Sequence, residues 1–121
     1  MALRGLDHVN INCADLERSR AFYVDALGMT DGARPPFGVP GAWLYLDGRP
    51  VVHLVGGMAA KGESTGRFDH FAFEAEDFET TRSHLEAKGI VFHELVVPAS
   101  DVRQIFFRDP DGVKIELNFR G

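Results

Sequence analysis

Leu6-Asp7-His8-Val9 and Phe68-Asp69-His70-Phe71 are two versions of one phrase, and their likeness decides the fold. His70 lies 62 residues after His8, and Ala14-Asp15-Leu16-Glu17 returns at the same spacing as Glu76-Asp77-Phe78-Glu79. The later parts of the halves match as well. Leu46-Asp47-Gly48 before Val51-Val52-His53-Leu54 parallels Arg108-Asp109-Pro110-Asp111-Gly112 before Lys114-Ile115-Glu116-Leu117, which sets His53 opposite Glu116. A repeat changes how every other pattern is read, so it has to be recognised first. Two copies imply a paired module with approximate twofold symmetry.

Working outward from the histidines, residues 6–12 alternate as a strand, with Val9 and Ile11 on one face and His8, Asn10 and Asn12 on the other. Asp15 is a helix N-cap, and the helix it starts runs to about Leu27 with Leu16, Phe22, Tyr23 and Ala26 near one side, stopped by Gly28. A second helix of the same kind starts at Asp77, carries Phe78, Thr81 and Leu85, and ends before Gly89. Three strands follow each helix, at 29–34, 42–47 and 50–55 and again at 90–96, 103–108 and 113–119, with hairpin turns at Asp47-Gly48 and Asp111-Gly112. The order is βαβββ, twice. The fold class is therefore α+β: one domain over residues 1–121, made of a module at 5–56 and a module at 67–120, with a Gly-rich linker at 57–66. Each half, at roughly 55 to 60 residues, buries too little surface to be secure alone, so the halves share a core or pair with another copy. The stretch from Arg34 to Gly41 holds three prolines and two glycines and is either a loop over a cavity or a long connection.

Bulk properties exclude several function classes. Hydrophobic residues are 45% and charged residues 26%, ordinary for a soluble globular chain. The net charge is −5 and the 13 basic residues are scattered, which argues against a nucleic-acid surface. No apolar run approaches the ~18 residues that cross a bilayer, and the N-terminus lacks a signal-like stretch, so no membrane role and a cytoplasmic location are expected. The single cysteine, Cys13, forms neither an internal disulfide nor a Cys-based zinc motif.

Strand parity gathers the chemistry on one side. If Val52, Leu54, Ile115, Leu117, Phe71 and Phe73 face the helices, then His53, Glu116, Lys114, Asn118 and His70 face away. Trp43, Tyr45, Gln104 and Phe106 join that second face, whereas Leu44, Leu46, Ile105 and Phe107 go to the helix side. A sheet with one face lined by histidine, glutamate, aromatics and an amide looks like a ligand-holding surface. A divalent first-row metal takes imidazole nitrogen and carboxylate oxygen together, and a catalytic centre needs three or four such ligands with positions left open. His8, His70 and Glu116 supply a two-histidine, one-carboxylate set, with His53 as a fourth ligand or as a second-shell hydrogen bonder or proton carrier; iron(II), manganese, nickel, cobalt and zinc all suit it. A lone strand histidine is more often an ordinary hydrogen-bonded side chain, and that reading is kept for His84 and His93, which lack symmetric partners. Recurrence at duplicate positions sets the other four residues apart.

The sequence resembles the vicinal oxygen chelate superfamily, which includes glyoxalase I, fosfomycin-resistance enzymes, methylmalonyl-CoA epimerase, extradiol ring-cleavage dioxygenases and bleomycin-resistance proteins. The likeness covers nearly the whole chain. It rests on Leu6-Asp7-His8-Val9, on Asp15-Leu16-Glu17-Arg18-Ser19 with Ala21-Phe22-Tyr23 and Leu27-Gly28, on Asp69-His70-Phe71-Ala72-Phe73, and on Phe107-Arg108-Asp109-Pro110-Asp111-Gly112 with Ile115-Glu116-Leu117. The resemblance implies paired βαβββ modules curling into a cup (the glyoxalase/bleomycin resistance/dihydroxybiphenyl dioxygenase fold) around one divalent metal, with ligands at His8, His53, His70 and Glu116. It further implies a homodimer.

Three functions follow from the resemblance. The first is a metal-dependent lyase or isomerase of the glyoxalase I type, acting on a small substrate bound through neighbouring oxygens, with Glu116 and His53 as catalytic groups and Trp43, Tyr45, Gln104 and Phe106 shaping the pocket. The second is an iron(II) ring-cleavage dioxygenase using two histidines and a glutamate. The third is a metal-free binding protein like the bleomycin-resistance group. This chain departs from glyoxalase I, which usually has a glutamate at the position of His53, and from the epimerase, which usually has a glutamine. Glu116 is then the only carboxylate among the four and doubles as ligand and base, or the base comes from elsewhere. The tyrosine of fosfomycin thiol transferases corresponds here to Phe106.

Overall fold

The computed structural model describes residues 1, 5–57, 65 and 68–120. It divides into two compact units, Met1–Ala60 and Lys61–Gly121. Of the expected linker 57–66, only Gly57 and Thr65 are among the described residues.

In the first unit the elements are β1 (Val9–Asn12), α1 (Leu16–Ala21), β2 (Thr30–Gly32), β3 (Gly41–Leu46) and β4 (Arg49–Val55). They form one sheet in the order β1-β4-β3-β2, with β1 parallel to β4 and the other pairs antiparallel. Asp15 starts α1 as its sequence position requires: its backbone is extended and its side chain accepts a hydrogen bond from the Arg18 amide at 3.1 Å. The helix does not continue uniformly to Leu27. After Ala21 it widens into a π-helical segment, Phe22–Ala26, which buries Tyr23 completely and leaves Phe22 half-buried with the two rings edge to face. Apolar spacing cannot reveal such a widening, because Phe22 and Tyr23 fit the buried stripe of either helix. Gly28 then ends the segment at a φ of +71°, a conformation glycine adopts without strain.

The turn between β3 and β4 has positive φ at both central residues, 52° at Asp47 and 78° at Gly48, the type I′ geometry that suits the twist of a hairpin. A bulge follows, with Leu44 opposite Val52 but Tyr45 opposite Pro50. The second hairpin is built differently. Asp109, buried, accepts hydrogen bonds on Oδ1 from the amides of Asp111 (2.8 Å) and Val113 (2.9 Å), which closes a longer loop. Both hairpins restore one pairing: Trp43 lies opposite His53, and Phe106 lies opposite Glu116.

The second unit repeats the plan with β5 (His70–Ala75), α2 (Phe78–Ala87), β6 (His93–Val96), β7 (Arg103–Arg108) and β8 (Lys114–Phe119). The sheet order is β5-β8-β7-β6, again with one parallel pair, β5 and β8. Asp77 differs from Asp15. It sits in the left-handed region at a φ of 62° and makes no side-chain cap. α2 is held instead through Phe78, whose ring meets Phe119 edge-on at 5.2 Å and carries the Arg103 guanidinium at 3.4 Å.

The apolar strand faces form the cores. Leu44, Val52 and Leu54 in the first unit and Ile105, Ile115, Phe107 and Leu117 in the second are buried as parity required, each contributing roughly 1.5 to 3 kcal/mol. Leu46 does not follow, because it ends β3 beside the turn and is 43% exposed. Phe71 and Phe73 are only half-buried. The strands expected at 6–12, 29–34 and 90–96 are shorter than the apolar pattern suggested, which leaves His8 immediately before β1. No helix among the described residues is long and apolar enough to cross a membrane.

Candidate metal centre in two halves

In the second unit His70 opens β5, next to β8, and its pairing places Glu116 opposite Ala72, two positions along the same face. His70 Nε2 stands 3.2 Å from Glu116 Oε1. The other ring nitrogen, Nδ1, is 2.7 Å from Asp69 Oδ2. A carboxylate only accepts, so Nδ1 carries a proton and Nε2 turns either a lone pair or a second proton toward Glu116. A lone pair facing a carboxylate oxygen is repulsive unless a proton or a cation lies between them. Two donors at about 2.0 to 2.2 Å from one ion, roughly 90 to 110° apart, are separated by about 3 to 3.5 Å, and the observed distance falls in that interval.

The surroundings orient both groups. Asn118 donates to Glu116 Oε2 at 2.6 Å and is itself held by Gln104, which donates to Asn118 Oδ1 at 3.0 Å. Glu116 is only 9% exposed, so its carboxylate is fixed in a largely dry position rather than facing solvent as a free strand residue would. Lys114 Nζ lies 3.4 Å from Asp69 Oδ2 and 5.3 Å from the Phe106 ring centre. The hydrogen bond to His70, then Lys114, holds the Asp69 carboxyl below the usual aspartate value of 3.8. Phe106 meets the His70 ring edge-on at 6.3 Å.

The first unit carries the equivalent Asp-His pair. His8 Nδ1 is 2.7 Å from Asp7 Oδ2, the same contact at the same distance as in the Asp69-His70 pair. Its hydrogen bond likewise lowers the Asp7 carboxyl below 3.8. His8 stacks on His53 with ring centres 3.8 Å apart and planes 9° from parallel, and Trp43 stacks on His53 at 4.1 Å. His53 is thus the middle of three stacked rings. Its Nε2 lies 2.9 Å from the Pro50 carbonyl and so carries the proton there, which leaves Nδ1 as the lone-pair nitrogen. Burial, then the neighbouring His8, lowers the pKa of His53 below 6.5 and keeps the ring neutral at neutral pH.

Each unit thus unites its own candidates: His8, His53 and Trp43 in one; His70, Glu116, Gln104 and Phe106 in the other. Among the described residues no group of three histidine, cysteine, aspartate or glutamate side chains already converges as a metal cage. Tyr45, expected in the pocket, gives its hydroxyl to the Ala33 carbonyl at 2.6 Å. His93 is an exposed residue of β6 opposite Phe106, and His84 lies exposed on α2. Sequence reasoning overlooked Asp7 and Asp69 as orienting groups. Their signal was present, since Asp-His is the most literal part of the repeat. The donor chemistry fits a divalent ion: imidazoles oriented by carboxylates and a hydrogen-bonded glutamate are the usual outer-shell arrangement of such sites.

Comparison with known proteins agrees with the class that this fold defines. The glyoxalase/bleomycin resistance protein/dioxygenase superfamily matches residues 5–117, and the chain belongs to it. Among individual relatives, it is 30% identical over 123 residues to a protein of Arabidopsis thaliana named Glyoxylase I 4, covering 95% of this chain and 70% of that one. It is 29% identical over 122 residues to the glutathione transferase FosA of Serratia marcescens, covering 96% and 81%. The fold matches the crystal structure of a glyoxylase/bleomycin resistance protein/dioxygenase domain from Frankia sp. EAN1pec with a TM-score of 0.81 at 22% identity, covering 99% of this chain and all of that one.

Proposed function

We propose that this chain is a divalent-metal-dependent enzyme of the glyoxalase I type, a lyase or isomerase that takes a small substrate through two neighbouring oxygens. The observation that carries this reading is the 3.2 Å approach of His70 Nε2 to Glu116 Oε1, with Asp69 behind the histidine and the same Asp-His pair repeated at Asp7-His8. In this reading His8, His70 and Glu116 hold the ion, and the protein forms a homodimer. A bound divalent ion supplies Lewis-acid stabilisation of negative charge developing on substrate oxygens. Glu116, the only carboxylate among the four, then serves as ligand and as the proton-accepting group, held in line by Asn118. His53 is a fourth ligand through Nδ1 or a neutral acid-base group beside the others. Trp43, Gln104 and Phe106 border the substrate, and the spent hydroxyl of Tyr45 leaves only its ring for that purpose.

A second reading keeps the same ligands with iron(II), since two histidines and one carboxylate are the set non-haem iron oxygenases use. A third, metal-free binding of a flat ligand, is favoured only by the stack Trp43-His53-His8, on which such a ligand could lie. Elemental analysis combined with activity tests separates the three. The first requires bound divalent metal, isomerisation or lysis of thiol adducts of 2-oxoaldehydes or related substrates, and loss of both metal and turnover in His70→Ala and Glu116→Gln. Iron-dependent oxygen uptake on catechols would replace it with the second reading. Ligand binding without metal, unchanged in His70→Ala, would replace it with the third.

A further inference from the structure

The segment from Ala33 to Pro40 connects β2 to β3. Arg34 is half-buried, and its Nε is buried with no hydrogen-bond partner among the described residues. Burying a guanidinium N–H unpaired is costly, so the position calls for an acceptor. No carboxylate among the described residues forms an ion pair with it, as none does with Arg18, Arg49 or Arg108, but Arg49 and Arg108 donate instead to the carbonyls of Leu6 and Gly112. The guanidinium carbon lies 5.1 Å from the centre of the Phe37 ring, and Phe37 meets Trp43 at 6.1 Å.

Gly41 shows which face the guanidinium occupies. A Cβ built on Gly41 would stand 2.5 Å from an Arg34 terminal nitrogen and 2.6 Å from the Leu54 carbonyl oxygen, so the guanidinium lies against the Gly41 backbone where a side chain would crowd both. Gly41 alternates with Trp43 along β3 and shares its face, the one that carries His53. By the repeat, Gly41 corresponds to Gln104, just as Trp43 corresponds to Phe106 and His53 to Glu116. Where the second unit sets an amide on the ligand face, the first sets a cation delivered from a loop.

We infer that Arg34 anchors an anionic oxyacid group, a carboxylate or a phosphonate or phosphate, of a ligand lying on the face of Trp43 and His53. Planar, always charged and forked, arginine suits such groups, and its guanidinium lies over the Phe37 ring. The inference rests on the ligand face proposed above for Trp43 and His53, but it does not need the metal.

Trp43 is the only tryptophan of the chain, which makes it a built-in reporter. Chelator-treated protein titrated at constant ionic strength with methylphosphonate, inorganic phosphate and acetate, against chloride as control, is expected to give a saturable Trp43 fluorescence change with at least one oxyanion. Acetate alone would assign a carboxylate, and methylphosphonate or phosphate a phosphorus oxyacid. Arg34→Gln should weaken that response tenfold or more, and Arg34→Lys, which keeps charge but not the fork, by a smaller factor. Circular dichroism checks the fold, and Arg34→Lys decides if Arg34→Gln does not fold. No saturable response, or equal affinity in the folded variants, overturns the inference. Loss of metal binding in His70→Ala with the oxyanion response intact would leave this subsite standing, whereas the converse would remove it alone.

Discussion

At the scale of single residues, the Asp-His pairs decide most. A carboxylate on Nδ1 fixes both the orientation and the tautomer of an imidazole, so removing its charge weakens a metal site without touching a ligand. Asp69→Asn and Asp7→Asn are each expected to lower divalent-metal affinity about 10- to 100-fold, measured by competition with a chromophoric chelator. Unchanged affinity in both would remove these residues from the centre. His53 makes a prediction of opposite character. Its pKa in the folded chain is below 6.5, so between that lowered value and 6.5 the unfolded chain binds more protons. Stability is therefore full above about pH 6.5 and declines as the pH falls through that window. Denaturant unfolding of the metal-free protein between pH 7 and pH 5 should show the decline, and His53→Gln should flatten it. The face of the sheet to which these side chains belong was legible from alternation alone. The stacking of His53 between Trp43 and His8, and its bond to Pro50, was not, because rotamers follow three-dimensional neighbours that parity does not specify.

At the scale of elements, equivalent aspartates behave differently. Asp15 caps α1 with its side chain, and Asp15→Ala should cost about 1 kcal/mol in chemical denaturation. Asp77 makes no cap and holds a left-handed conformation, so Asp77→Gly should be neutral or stabilising by up to about 1 kcal/mol. Equal losses at both positions would show that the repeat extends to the caps. The aspartate recurs at the same place in both halves, and the backbone, extended at Asp15 and left-handed at Asp77, distinguishes them. The widened π-helical turn and the bulge after Leu44 escaped notice for a related reason: each leaves the apolar pattern intact while shifting the backbone by one residue. Core strands were easier to read, since Leu54 and Ile115 had to be buried for the alternation to make sense. Leu54→Ala should cost about 2 to 5 kcal/mol.

At the scale of the whole molecule, duplication explains why a small chain carries the same Asp-His pair and strand arrangement twice. Each unit brings an oriented histidine and one partner on the neighbouring strand, His53 in one and Glu116 in the other. The division of labour follows the repeat: the first half contributes stacked rings and a loop-borne cation, the second a carboxylate locked by two amides. The proposed ligand set, His8, His70 and Glu116, takes residues from both halves of the sequence. The direct test is a crystal structure of metal-loaded protein, with anomalous data collected at the absorption edge of the bound element. One anomalous peak about 2.0 to 2.3 Å from His70 Nε2, a Glu116 carboxylate oxygen and the His8 ring, from one chain or from two, is the outcome required. A stoichiometric ion bound elsewhere, or those three side chains lying too far apart to share one ion in any assembly of the crystal, would refute it.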